Sequence, residues 1–192
     1  MEQTIGQYNA VIAAAKDIFI KKTKDYGTSW RVLRQISVVD QIYIKARRIR
    51  NLQEGSLQMI ADDIPSEFKG IINYAIIGMI QLGINDDELD NVPVSECEAL
   101  YDRHMNATRA LMLQKNNDYG EAWREMSQES FADLILMKLY RMKQIIRNDG
   151  QTLISEGLDA NYMDILNYAV FALILAPPAV GNDELGIMND EL

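Results

Sequence analysis

The chain is expected to be all-α, built as two tandem helical repeats packed against each other as an intramolecular pseudo-dimer. Three observations predict this. Apolar residues recur at three- and four-residue spacing, and no period-2 run closed by hairpin turns appears. One sequence unit occurs twice: Lys22-Thr-Lys-Asp-Tyr-Gly-Thr-Ser-Trp-Arg31 returns as Lys115-Asn-Asn-Asp-Tyr-Gly-Glu-Ala-Trp-Arg124. At the same offset Ser37, Asp40, Ile42, Lys45 and Arg48 return as Ser130, Asp133, Ile135, Lys138 and Arg141, and one inserted residue later Asn73-Tyr74-Ala75 returns as Asn167-Tyr168-Ala169. Finally, each copy is about 80 residues, marginal as a free-standing domain, so covering the apolar face of one copy with the other is the more stable solution.

The elements follow in chain order. Tyr8, Val11, Ile12, Ala15, Ile18 and Phe19 mark the apolar face of a first helix, with Tyr101, His104, Met105, Thr108, Leu111 and Met112 in the matching places of the second copy. Ser95-Glu96-Cys97-Glu98 has the pattern of a capping box opening that second-copy helix. Both first helices run into Asp-Tyr-Gly, where Gly27 and Gly120 suit the left-handed residue that ends a helix. Second helices are expected from Ser37 to about Gln53 and from Ser130 to about Arg147. Third helices are expected from about Pro65 to Gly83 and from about Ala160 to Ala176. Pro65 fits a first turn, and Pro177-Pro178 stops the last helix. The third helices are apolar nearly all round and should be central.

The resulting layout is a first repeat over 1–84, an acidic linker over 85–94, a second repeat over 95–176 and a flexible acidic tail over 177–192. The halves are expected to clasp face to face, acidic groups of one confronting cations of the other.

Charge and composition exclude several classes. A net charge of −9 argues against direct nucleic-acid binding and against an anionic membrane surface, because both reward clustered Lys and Arg. Cys97 is the single cysteine, so no intrachain disulfide forms and a reducing cytoplasm fits. No basic-then-apolar leader opens the chain, and the apolar stretch Gly70–Ile84 falls short of the roughly 20 residues a bilayer span needs. A cytoplasmic location without membrane association is expected. A homodimer is left open.

Each residue that could carry chemistry has a structural alternative. Asp25-Tyr26-Gly27 with Trp30, and Asp118-Tyr119-Gly120 with Trp123, read first as a helix stop and an aromatic anchor. The functional reading makes Lys22, Tyr26 and Trp30, with Tyr119 and Trp123 of the second copy, base-stacking or phosphate-facing groups. Asp40 and Asp133 stand three residues after Ser37 and Ser130, where capping explains them as well as metal binding does. Lys45 and Arg48, like Lys138 and Arg141, share a helix face and suit a phosphate clamp, or else a solvated edge.

The third helices contrast most. Asn161, Asp164 and Asn167 line one face beneath Tyr168, preceded by Glu156 and Asp159; in copy one Glu67 aligns with Asn161 and Gly70 with Asp164. A buried carboxylate among amides is costly unless paired or bound to something. Oxygen ligands suit Mg²⁺ or Mn²⁺, while the alternative pairs Asp164 with Lys or Arg of a second helix. Asn73 and Asn167, retained in both copies, suit structural hydrogen bonds or substrate contacts. The Gly70–Asp164 difference implies one functional and one degenerate site. His104 aligns with Val11 and reads as a packed residue, and one His with one Cys makes zinc improbable.

The repeated Lys-x-x-Asp-Tyr-Gly-x-x-Trp-Arg, the Ser-x-x-Asp-x-x-x-x-Lys-x-x-Arg and the late Asn-Tyr resemble a bacterial family of unknown function grouped with the nucleotide-modification-associated domains, over essentially residues 5–176. That family is distantly similar to MazG-like and dimeric-dUTPase-like all-α NTP pyrophosphatases, which hold Mg²⁺ with helix-borne carboxylates. The resemblance implies a Mg²⁺-dependent nucleotide hydrolase acting on a nucleotide or modified nucleotide. Asp164, Asp133, Glu67 and Asp40 would be its metal ligands, and Glu156 or Asp159 would assist Asp164 and Asp133 in catalysis. Lys45, Arg48, Lys138 and Arg141 would neutralise phosphate; Tyr26, Tyr119, Trp123, Asn73 and Asn167 would contact substrate. Where the pyrophosphatases carry paired acids, this chain gives Asp40-x-x-Tyr43, Asp133-x-x-Leu136, Glu67-x-x-Gly70 and Asn161-x-x-Asp164, each with one acid missing. The alternative is a non-catalytic nucleotide-binding or structural module whose Asp, Lys and Arg sets are internal salt bridges.

Overall fold

A computed structural model of the protein describes residues 2–57, 63–84, 92–152, 154 and 156–176. Among these residues six α-helices account for the fold: α1 (Glu2–Tyr26), α2 (Gln35–Gln53), α3 (Ile64–Gly83), α4 (Val94–Tyr119), α5 (Gln128–Arg147) and α6 (Leu158–Leu175). A 3₁₀ turn carries each tryptophan, at Ser29–Val32 and Ala122–Glu125. No strand occurs among the described residues. The expected linker and the expected tail lie largely outside the described residues, at 85–91 and 177–192.

The two most apolar helices are the centre. α3 and α6 pack on each other, α2 covers α3, α5 covers α6, and α2 meets α5 to close a four-helix core. α1 and α4 cross this core, each touching α3 and α6. Ile71, Ile72, Ile76 and Ile80 of α3 and Ile165, Leu166 and Val170 of α6 are almost wholly buried, which is the main source of stability in such a bundle. α6 is apolar enough by composition to span a bilayer, yet 56% of it is buried within the bundle.

Pairs of contacts related by the repeat show that the halves meet about a pseudo-two-fold axis. Tyr8 of α1 donates its hydroxyl to Asn167 Oδ1 of α6 at 2.8 Å, and Tyr101 of α4 donates to Asn73 Oδ1 of α3 at 3.1 Å. Asp40 of α2 accepts from Lys143 of α5 at 2.7 Å, and Asp133 of α5 pairs with Arg50 of α2 at 3.3 Å. Each contact appears with its halves exchanged, the signature of an isologous interface. The expectation that acids of one half face cations of the other holds for these α2–α5 pairs.

The tyrosine bonds tie each repeat to the other through a buried amide, and burial raises both phenol pKa values, keeping the donor protons in place. Tyr8→Phe is expected to leave Asn167 Oδ1 without its donor, at a cost of about 1–3 kcal/mol. A urea midpoint unchanged from wild type would remove this bond from the account of how the halves are held.

Several helix starts differ from expectation. α2 and α5 begin at Gln35 and Gln128, before the serines, and neither has a side-chain cap. The reason is tertiary: the Gln35 amide donates to the Gly78 carbonyl and the Gln128 amide to that of Ala172, each at 3.2 Å. Asp40 and Asp133 are therefore bridging residues, not caps. The Ser95 capping box does not form either, because α4 starts at Val94 with Pro93 at the cap position. The glycine stops stand as expected, with Gly27 at φ +66° and Gly120 at φ +62°.

Candidate functional site

Asp164 is buried on α6, and its carboxylate is fully engaged. Lys115 of α4 donates to Oδ1 at 2.6 Å and Lys138 of α5 donates to Oδ2 at 2.5 Å. Burial alone would raise the Asp164 pKa; the two lysines outweigh it and hold the carboxyl below its usual value. Lys115 responds in kind: burial pulls its pKa down, and the Asp164 bond lifts it above the ordinary lysine value. This is the salt-bridge alternative for Asp164.

Repeat one solves the same problem one helical turn earlier. Its third-helix carboxylate is Glu67, which accepts from Lys45 at 3.0 Å and also pairs with Arg48. At the place of Asp164 stands Gly70, and the Lys45 stem lies across it: a Cβ built on Gly70 would sit 2.9 Å from Lys45 Cε. Lys22, the counterpart of Lys115, is exposed and has no ion pair among the described residues.

The space left over is a cavity of about 510 Å³. Lys22, Lys45 and Lys69 reach it from α1, α2 and α3, and Glu67 is the single carboxylate on its wall among the described residues. Phe19, Tyr26, Trp30 and Tyr74 supply aromatic surface. Ile77 borders it; the repeat-two counterpart is Phe171, whose ring stacks on Trp123 at 4.2 Å with 7° between planes. At both places repeat two carries the larger side chain, Asp for Gly and Phe for Ile.

The other expected site residues are dispersed. Asp133 and Asp40 engage Arg50 and Lys143 on the α2–α5 surface, away from Glu67 and Asp164. No three acidic, histidine or cysteine side chains among the described residues gather where a metal could be held. Glu156 and Asp159 are exposed at the start of α6. Glu156 lies close enough for its charge to act on Lys115 and Tyr168. Asn73 and Asn167 hold the opposite repeat's tyrosines, and Asn73 also donates to the Ala15 carbonyl at 3.0 Å. Trp123 is covered by Phe171 and by the Arg124 guanidinium, so no base stacks on it there. Tyr119 is 77% exposed and Arg141 is exposed. Of the residues expected to contact substrate, Lys45, Tyr26 and Asn73 border the cavity, with Arg48 behind Glu67. Trp30 Nε1 and Trp123 Nε1 are both buried without a partner among the described residues, so that orphan belongs to the fold and does not distinguish the open repeat.

Lys69 was not singled out from sequence, while Tyr74 entered only within the repeated Asn-Tyr and Phe19 only as an apolar-face position, since no spacing marks a cavity wall. The model of the family described as nucleotide modification associated domain 1 matches residues 22–82 and again 115–175, together well over half of the chain. The chain belongs to that family. Both matches begin at the motif lysine, Lys22 or Lys115, so a member's unit includes the lysine that faces the cavity in one copy and Asp164 in the other. No curated protein and no solved structure matches the chain.

Proposed function

We propose that this member of the nucleotide modification associated domain 1 family is a nucleotide-binding module with its site in the repeat-one cavity. The carrying observation is the wall itself: three lysines face the cavity, and Glu67, its one carboxylate among the described residues, is already held by Lys45 and Arg48. A surplus of cations beside aromatic surface suits a phosphate joined to a base. The family description supports a nucleotide over other anions of that shape.

Metal-dependent hydrolysis, implied by the similarity to all-α NTP pyrophosphatases, draws less support. Such chemistry needs carboxylates converging on one ion. Here Asp40, Asp133, Glu67 and Asp164 each have a separate lysine or arginine.

Nucleoside mono-, di- and triphosphates assayed by calorimetry and thermal shift, with Mg²⁺ and with EDTA, test this. The expected result is binding that persists in EDTA, with no phosphate or pyrophosphate released. Failure of every nucleotide to bind would overturn the binding reading. Turnover appearing with Mg²⁺ would restore the hydrolase.

A further inference from the structure

We infer that the Asp164 carboxylate marks where the ligand's phosphate sits: a phosphate monoester takes its place in repeat one, between Lys22 and Lys45, and repeat two is the same site closed by its own side chain. The inference rests on the nucleotide-binding reading and specifies which part of the nucleotide goes where. The exchanged contact pairs Tyr8–Asn167 and Tyr101–Asn73 establish that the repeats superpose at the third helix, so corresponding positions occupy corresponding space. In repeat two, one anion is gripped by Lys115 and Lys138. Their counterparts Lys22 and Lys45 both reach the repeat-one cavity, where glycine replaces the acid and the internal anion is instead Glu67, one turn away and shared by Lys45 and Arg48.

The charges favour a phosphate over a second carboxylate. Three cavity lysines, with Arg48 also on Glu67, leave a surplus of positive charge that suits the roughly −1.5 to −2 of a phosphate monoester near neutrality. The remainder of the ligand points toward Trp30, because Ile77 stands where Phe171 covers the tryptophan of repeat two. One nucleotide per chain follows, with repeat two closed.

The test is titration calorimetry on the full chain with nucleoside 5′-monophosphates, the matching nucleosides and inorganic phosphate. Wild type is expected to bind a monophosphate at one site per chain, the nucleoside at least about 10-fold more weakly, and inorganic phosphate more weakly than the monophosphate. Gly70→Asp, which restores the repeat-two acid beside Lys22 and Lys45 while Glu67 stays where repeat two has Asn161, should weaken binding by about 100-fold. The three atoms nearest its Cβ all belong to the flexible Lys45 side chain. Lys22→Met, an exposed site whose substitution spares the fold, should weaken binding by about 10-fold or more. A wild type that binds nucleotides while Gly70→Asp and Lys22→Met bind them equally well would overturn the phosphate placement and leave the binding reading standing. Equal affinity for nucleoside and monophosphate would do the same, as would two sites per chain. A wild type that binds no nucleotide would overturn both.

Discussion

Asp164→Ala should lower the melting temperature by on the order of 10 °C. Lys138 is buried, and the substitution leaves its ammonium with neither water nor counter-charge. Breaking a buried pair from one side costs about 3–5 kcal/mol, and each kcal/mol moves the melting point of a chain this size by about 2–4 °C. Lys115 adds little, because its head is half exposed and water replaces the lost partner. Replacing Asp164 by Leu together with Lys138 by Met should recover much of the loss, since no unpaired charge then remains.

The pH dependence has a definite sign. The folded-state pKa of Asp164 lies below its ordinary 3.8. Its stabilising contribution is therefore complete above the unfolded-state value and is lost as pH falls through the folded value. The gap in urea midpoint between wild type and Asp164→Ala should be full at pH 7 and should narrow below about pH 4. A gap that stays constant into acid would show that the substitution acts through packing and not through the ion pair.

Gly78→Ala should cost about 3 kcal/mol although it adds a single methyl group. Gly78 lies on α3 where α6 crosses closest, and a Cβ there would stand 2.3 Å from Cζ of Tyr162. That ring has no room to retreat: Tyr162 is fully buried, and its hydroxyl donates to Gln35 Oε1 at 2.8 Å. Gln35 in turn holds the Gly78 carbonyl, so the clash reaches the start of α2 as well. Gly6→Ala on α1 is the control, because nothing stands within 4 Å of its Cβ and helix propensity alone should stabilise by about 1 kcal/mol. Equal effects at the two glycines would mean that the α3–α6 approach is looser than described.

Local chemistry made the helices legible. Apolar spacing and the two Asp-Tyr-Gly stops placed every first helix and the ends of α2 and α5, because these signals lie within a turn or two of what they specify. The starts of α2 and α5 were misplaced for the opposite reason: Gln35 and Gln128 are drawn into the helix by carbonyls far along the chain, and no serine pattern encodes that. Pairings were hidden in the same way. That Asp133 meets Arg50 depends on how two helices cross, and a single sequence does not state a crossing.

Within the candidate site, the difference between Gly70 and Asp164 was visible by laying one copy over the other, but what surrounds each of them was not. A buried acid on an apolar helix resembles a ligand until its neighbours are known. With Lys115 and Lys138 on either side it fills the space, and the glycine copy holds the cavity.

Covalent union of the copies matters beyond economy of assembly. Two separate subunits made from one gene would carry every substitution in duplicate, so an acid introduced opposite the lysines would plug both chambers together. A fused pair escapes that constraint: one half carries an internal brace while its sibling keeps an open chamber.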